Sequence, residues 1–171
     1  MGNRQPGAVR VVKHGGCCSR CFPCIPFNVF TSTEAKYKIA EAVLAGGIQS
    51  LLLKYGHSQT SIIGFSYDSC LTTANACLLT SIVMLISCII SRHSIETIRT
   101  TPFEWIFNGL ACILYLSSGG YLAFIVNIFL FPLYMAIPFA GQAYPALSAC
   151  YVMCFFAAII HGIDAYKAFR N

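Results

Sequence analysis

Residues 71–90 read LTTANACLLTSIVMLISCII, a run without a single charged side chain. About 20 mostly apolar helical residues cross the ~30 Å hydrocarbon core of a bilayer. Three further apolar stretches lie at 37–55, 103–126 and 146–166. The first reaches the required length only when its flanking residues, Tyr37 and Tyr55, are included. The sequence therefore predicts an all-α membrane protein in which residues 34–171 form a bundle of four transmembrane helices.

The composition also indicates a membrane protein. Hydrophobic residues make up 57% of the 171 residues and charged residues 10%, whereas soluble domains average about 25% charged residues. The loops between the apolar stretches are short and leave no room for a soluble catalytic domain. The sequence has no nucleophile elbow, no His-Glu-x2-His zinc motif and no phosphate-binding glycine loop. We therefore expect a non-enzymatic protein without a cofactor.

Positive charge is distributed unevenly along the chain. With four spans, the N-terminal segment, the loop between the second and third spans and the C-terminal segment share one side, and ten of the eleven Lys and Arg residues fall there. Only Lys54 falls on the other side. Lys and Arg concentrate on the cytosolic side of membrane proteins, so both termini are predicted to be cytosolic. The net charge of +5 then indicates contact with anionic lipid and not with nucleic acid.

Residues 1–33 form a basic, cysteine-rich tail to which we assign no regular structure. Four of its cysteines lie close together, namely Cys17, Cys18, Cys21 and Cys24. Their spacing allows ligation of zinc or an iron–sulfur cluster, but Asn28 occupies the position where a ferredoxin-like run needs another cysteine. Juxtamembrane cysteines are typical sites of S-palmitoylation. We favour palmitoylation over unmodified thiols and expect no metal.

Two other covalent modifications remain open at this point. Gly2 follows the initiator Met1 and invites N-myristoylation, but the motif needs Ser or Thr where this chain has Pro6. Cys70 and Cys150 both lie towards the outer side, so a disulfide between them is an alternative that needs geometry to decide.

Two rows of small residues at four-residue spacing are candidates for helix packing. Their members are Ala42, Gly46 and Ser50 in the first span, and Cys154, Ala158 and Gly162 in the fourth. Small residues at this spacing let the backbone of a neighbouring helix approach closely. They also occur in membrane helices without a specific partner. We expect specific packing, within the bundle or between copies.

Four ionisable residues lie within the spans near their cytosolic ends: Glu41, Glu104, His161 and Asp164. One interpretation is a proton or ion relay, since intramembrane charge commonly marks function. The other is a packing cluster at the inner leaflet, paired with Lys36, Lys38 and Lys167. No ionisable group lies near the bilayer midplane, where transport sites are expected. We therefore favour the packing cluster.

The segment 127–145 is apolar and aromatic but contains Pro132, Pro138 and Pro145. We interpret it as an outer loop that lies in the membrane interface. The alternative is a continuation of the third span.

Three groups of residues give the chain a family resemblance. They are Lys36-Tyr37-Lys38-Ile39-Ala40-Glu41 before and within the first span, Phe103-Glu104 with Asn108 at the start of the third, and Ala157-Ala158 through Asp164-Ala165-Tyr166 in the fourth. In these residues and in its layout the chain resembles the MARVEL family, the tetraspan module of the MAL proteolipids and the chemokine-like-factor transmembrane proteins.

The resemblance implies roles where membranes meet: vesicle traffic and docking, cell junctions, and cell–cell fusion of the myoblast type. We expect a membrane organiser that contacts lipid, including ordered microdomains, and other membrane proteins or itself, in the plasma membrane or in trafficking vesicles. Two alternatives stay open. One is a small channel or carrier subunit in which Glu41 and Asp164 line a path, and the other is a cell-junction protein.

Overall fold

The computed structural model describes residues 33–90, 102–136 and 143–170 and, within them, all side chains except those of residues 33, 34 and 88–90. These residues form helices and turns, with no strand among them. The α-helices, in chain order, are α1 (Thr33–Leu51), α2 (Thr60–Ile63), α3 (Phe65–Ile90), α4 (Phe103–Ile125), α5 (Phe131–Ala136) and α6 (Ala143–Arg170). The N-terminal tail, with its four cysteines and Gly2, lies outside the described residues.

Three helical stretches of the described chain are long and apolar enough to cross a membrane: Phe65–Ser87, Phe103–Ala136 and Ala143–Arg170. They indicate a multi-pass membrane protein. Helix α1 is less apolar because its first half carries Lys36, Lys38 and Glu41. It continues through a π-helical turn at Leu52–Gly56. A fourth crossing by α1, and with it the cytosolic placement of both termini, stays a prediction.

The four long helices pack into one bundle. Helix α4 has its most extensive contact with α6, while α1 packs against α3 and α6 and α3 also packs against α4. The core consists of fully buried side chains such as Tyr115, Ile48, Leu122 and Leu147. Large apolar side chains also cover much of the exterior. This distribution suits a bundle whose outer surface contacts lipid, where shape-matched packing holds helices together.

The connection between α2 and α3 depends on Gly64. Its φ of +47° lies in the left-handed region, which glycine adopts without the steric cost that a side chain brings. The Gly64 amide donates to the carbonyl of Thr60 and its own carbonyl accepts from the amide of Tyr67. The chain thus ends α2 and starts α3 at this glycine.

The third long helix continues beyond the predicted end at Val126. A π-helical turn at Val126–Leu130 leads directly into α5, and α6 already begins at Ala143. The structure thus follows the alternative interpretation, a longer helix, for residues 127–136. Pro132 gives the physical reason for the wider turn: it lacks an N–H and its ring crowds the carbonyl four residues earlier.

Candidate functional site

A group of buried polar residues lies where the first half of α1 meets the end of α6. Seven side chains form this ionic cluster: Lys38 and Glu41 of α1, Ser81 of α3, Glu104 and Asn108 of α4, and His161 and Asp164 of α6. None of these residues is more than 5% exposed. Because buried charges are stable only when they are paired and hydrogen-bonded, their mutual contacts decide what the cluster can do.

Lys38 occupies the centre of the ionic cluster. Its Nζ lies 2.7 Å from Asp164 Oδ2 and 3.0 Å from Glu41 Oε2. It also donates to Asn108 Oδ1 at 3.0 Å and lies 3.9 Å from Glu104 Oε1. One ammonium group therefore connects α1, α4 and α6.

Asn108 links the remaining members. Its Nδ2 donates to Asp164 Oδ2 at 2.8 Å, and its Oδ1 lies 3.0 Å from His161 Nδ1. An amide oxygen can only accept, so His161 Nδ1 carries the proton of this hydrogen bond. The same nitrogen lies 3.4 Å from Glu41 Oε1, and Ser81 donates to Glu41 Oε2 at 3.4 Å. Through Ser81, helix α3 joins the network.

Two aromatic rings pack against His161. Tyr115 stacks on the imidazole with 5.6 Å between ring centroids, and Phe107 meets it edge-on at 6.2 Å. Nε2 is buried and has no hydrogen-bond partner in the part of the chain that the structure describes. The imidazole is thus held by Nδ1 and by ring packing.

The ionic cluster contains groups of both charges. Glu41, Glu104 and Asp164 supply three carboxyl groups, and Lys38 supplies one ammonium group. Electrostatic interactions are stronger in the low-dielectric interior of a bundle than in water. Because its contacts run between α1, α3, α4 and α6, the ionic cluster can hold four helices together.

The four ionisable residues singled out in the sequence lie together in the ionic cluster, but their predicted partners are only partly right. Lys38 is the ion-pair partner, whereas Lys36 is exposed. Lys167 donates to the hydroxyl of Tyr37 at 2.7 Å and lies over the same ring. Sequence reasoning missed Ser81, and it noted Asn108 only as part of the family resemblance. Asn108 lies one helical turn after Glu104 in an apolar segment, and this position could have indicated that it belongs to the same polar group.

The two small-residue rows occupy different environments. Of the two glycines in α1, Gly47 has the closer neighbour: an added Cβ there would meet the end of the Met153 side chain at 2.6 Å. Of the predicted row Ala42, Gly46 and Ser50, the last is exposed and donates to the carbonyl of Gly46. In α6, Cys154 and Ala158 are buried. Cys154 lies against Gly119 and Gly162 lies near Cys112, so this row faces α4.

The Cys70–Cys150 disulfide is not formed. Both residues are free thiols, and the sulfur of Cys70 lies 3.3 Å from that of Cys154. Helix α6 presents Cys150 and Cys154 one turn apart, so both approach Cys70.

Comparison with known proteins gives one informative match. The chain is 36% identical over 170 residues to Protein singles bar of Drosophila melanogaster. The aligned region covers 99% of this chain and 93% of that protein. No family model matches the chain, and no solved structure does. The MARVEL assignment thus stays a prediction from the sequence. Similarity of this extent over nearly the whole of both chains shows that this protein belongs to the family of Protein singles bar.

Proposed function

We propose that this chain is a non-enzymatic membrane organiser that acts where two membranes meet, in cell–cell fusion of the myoblast type. The observation that carries the proposal is the similarity to Protein singles bar, which extends over 99% of this chain and so includes every described helix. Cell–cell fusion is one of the roles that the MARVEL resemblance implies for such an organiser.

The contacts inside the bundle support an organiser. The buried charges are used to bind one another: Lys38 contacts Glu41 and Asp164, and Asn108 contacts Lys38 and Asp164. Such contacts give a bundle a defined packing. The exterior of the same helices presents large exposed side chains such as Leu79 and Ile113. A fixed core with an apolar surface suits lateral contact with lipid and with other membrane proteins.

The proposal is tested by removing the protein from cells that fuse. We expect contact between the cells to persist while mixing of their contents falls. Re-expression of the natural chain and of a Lys36→Met variant should restore mixing, because Lys36 is exposed and outside the ionic cluster. A Lys38→Met variant that reaches the membrane should restore less. Normal mixing in cells without the protein would contradict a role in fusion.

A second candidate is a small channel or carrier subunit. It is favoured by the buried carboxyl groups of Glu41, Glu104 and Asp164, because ionisable residues inside a membrane commonly mark ion pathways. Reconstitution in liposomes separates the two candidates. An organiser should leave ion flux at the level of empty liposomes. Flux that disappears with Glu41→Gln would support the channel and overturn the organiser.

A further inference from the structure

Three cysteine sulfurs meet inside the bundle at a place separate from the ionic cluster. Cys70 comes from α3, and Cys150 and Cys154 come from α6. The three Sγ atoms all lie within 4.8 Å of one another, and all three residues are buried. The closest pair is Cys70 and Cys154, with 3.3 Å between the sulfurs. We call this group the thiol cluster.

Helix geometry within α6 and packing between helices together explain this convergence. Cys150 and Cys154 are four residues apart and therefore project from the same face of α6. That face approaches α4 closely because residue 119 is glycine: an added Cβ there would lie 2.7 Å from Cys154 Cβ. The packing of α6 against α4 also brings the sulfur of Cys154 to 3.3 Å from that of Cys70.

A buried hydroxyl group, that of Ser118, lies next to the thiol cluster. The hydroxyl of Ser118 is buried and has no hydrogen-bond partner among the residues that the structure describes. It lies beside the thiol of Cys70. A buried hydroxyl without a partner is costly, and a negatively charged sulfur next to it would accept its hydrogen bond.

We propose that the thiol cluster is a binding site for a soft monovalent metal ion, Cu(I), held by Cys70, Cys150 and Cys154. With metal–sulfur bonds of about 2.3 Å, two sulfurs on one ion lie at most ~4.6 Å apart. The three sulfurs already lie within 4.8 Å of one another, so only small shifts are needed to bind one ion. Thiolate ligands select Cu(I) or zinc. Structural zinc completes four ligands, whereas Cu(I) is stable with two or three sulfurs, the number that the described residues bring together here.

Binding at this site changes no oxidation state. Each sulfur that coordinates the ion as a thiolate releases its proton to water, and the copper enters and stays as Cu(I). The affinity should therefore rise with pH, because metal binding and thiol protonation compete. The hydroxyl of Ser118 would then donate a hydrogen bond to the Cys70 thiolate and so gain a partner.

The test uses the full-length chain in detergent under reducing, oxygen-free conditions. The tail cysteines are changed to serine (Cys17→Ser, Cys18→Ser, Cys21→Ser and Cys24→Ser), so that their thiols do not compete. Cu(I) is then titrated against a coloured Cu(I) chelator. We expect the chain to withdraw about one ion per molecule from the chelator. X-ray absorption should show sulfur as the ligand.

Two variants locate the site, and a third is their control. Cys150→Ala and Cys154→Ala each remove one ligand and should weaken binding at least ~100-fold, since loss of a supporting residue alone costs ~10–100-fold. Cys77→Ala removes another buried thiol of α3 that lies outside the thiol cluster and should leave the affinity unchanged. Thermal unfolding of each variant without copper shows whether it keeps its fold.

Three results would overturn the proposal. The first is no withdrawal of Cu(I) by the chain with the tail cysteines replaced. The second is equal affinity after Cys154→Ala or Cys150→Ala in a folded protein. The third is an absorption spectrum with nitrogen or oxygen ligands. Because the absorption measurement needs no variant in the bundle, it can overturn the proposal even where a substitution prevents folding.

Discussion

The ammonium group of Lys38 lies 2.7 Å from the carboxylate of Asp164 and so joins the first half of α1 to the end of α6. A second contact supports the same junction, since Lys167 of α6 donates to Tyr37 of α1. The two helices that begin and end the described chain are thus tied together at one end of the bundle. That end also holds Glu41, and both helices meet α4 there through Asn108.

Replacement of Lys38 by methionine should destabilise the protein strongly. The variant keeps much of the side-chain volume but removes the ammonium group that Glu41 and Asp164 contact, and loss of one member of a buried pair costs about 3–5 kcal/mol. We expect a corresponding fall in the unfolding free energy of the purified protein in detergent. Lys36→Met, at an exposed position of the same helix, should change it by less than about 0.5 kcal/mol. Equal effects of both substitutions would contradict the central role of Lys38.

Replacement of Asn108 by leucine tests the second connection of the ionic cluster. Leucine has a similar size but offers neither the acceptor for Lys38 and His161 nor the donor to Asp164. Each buried group that loses its partner costs about 1–3 kcal/mol, so we expect a loss of at least about 2 kcal/mol in the same unfolding measurement. Asn127→Leu is the matched control because Asn127 is exposed: it donates to the carbonyl of Ala123 at 2.8 Å and accepts only a long hydrogen bond, 3.5 Å, from the Tyr144 hydroxyl. A stability loss no larger than that of the control would show that Asn108 does not link the cluster.

The long apolar runs were sufficient to predict the helical class and the positions of the long helices, because a membrane-spanning helix needs a length of apolar sequence that can be counted. The end of the third helix was not predictable in the same way. Pro132 signals a break, but the chain absorbs it in a wider turn and stays helical. Nothing in the local sequence distinguishes these outcomes.

The candidate site, too, was predictable in part: its charged residues were, but their partners were not. Glu41, Glu104, His161 and Asp164 stand out in the sequence because charge is rare in apolar segments. Their partners are harder to predict, since three lysines lie near the same end and only the helix rotations decide that Lys38 points inward. The thiol cluster was missed for that reason: Cys70 and Cys154 belong to distant segments and meet through packing alone.

The tail cysteines should carry palmitate. Juxtamembrane cysteines beside basic residues are typical acceptors, and an acyl chain would hold the tail on the bilayer together with its positive charges. In cells fed a clickable palmitate analogue, we expect the chain to be labelled and the label to be released by hydroxylamine. Changing Cys17, Cys18, Cys21 and Cys24 to serine should abolish labelling, whereas Cys112→Ser in α4 should not. Undiminished labelling of the four-serine variant would dismiss this modification.

Two adjacent glycines of α4 should respond oppositely to alanine. At Gly119 an added Cβ would lie 2.7 Å from Cys154 Cβ, whereas at Gly120 it would meet nothing within 4 Å. Because Cys154 Cβ is fixed to the α6 backbone, Gly119→Ala must push the helices apart, and overpacking of this kind costs about 1–3 kcal/mol. Gly120→Ala should be neutral or gain up to about 1 kcal/mol, since alanine favours the helix over glycine. Unfolding free energies in detergent measure both. If Gly119→Ala is as stable as Gly120→Ala, α4 and α6 do not pack as closely at this point as the structure places them.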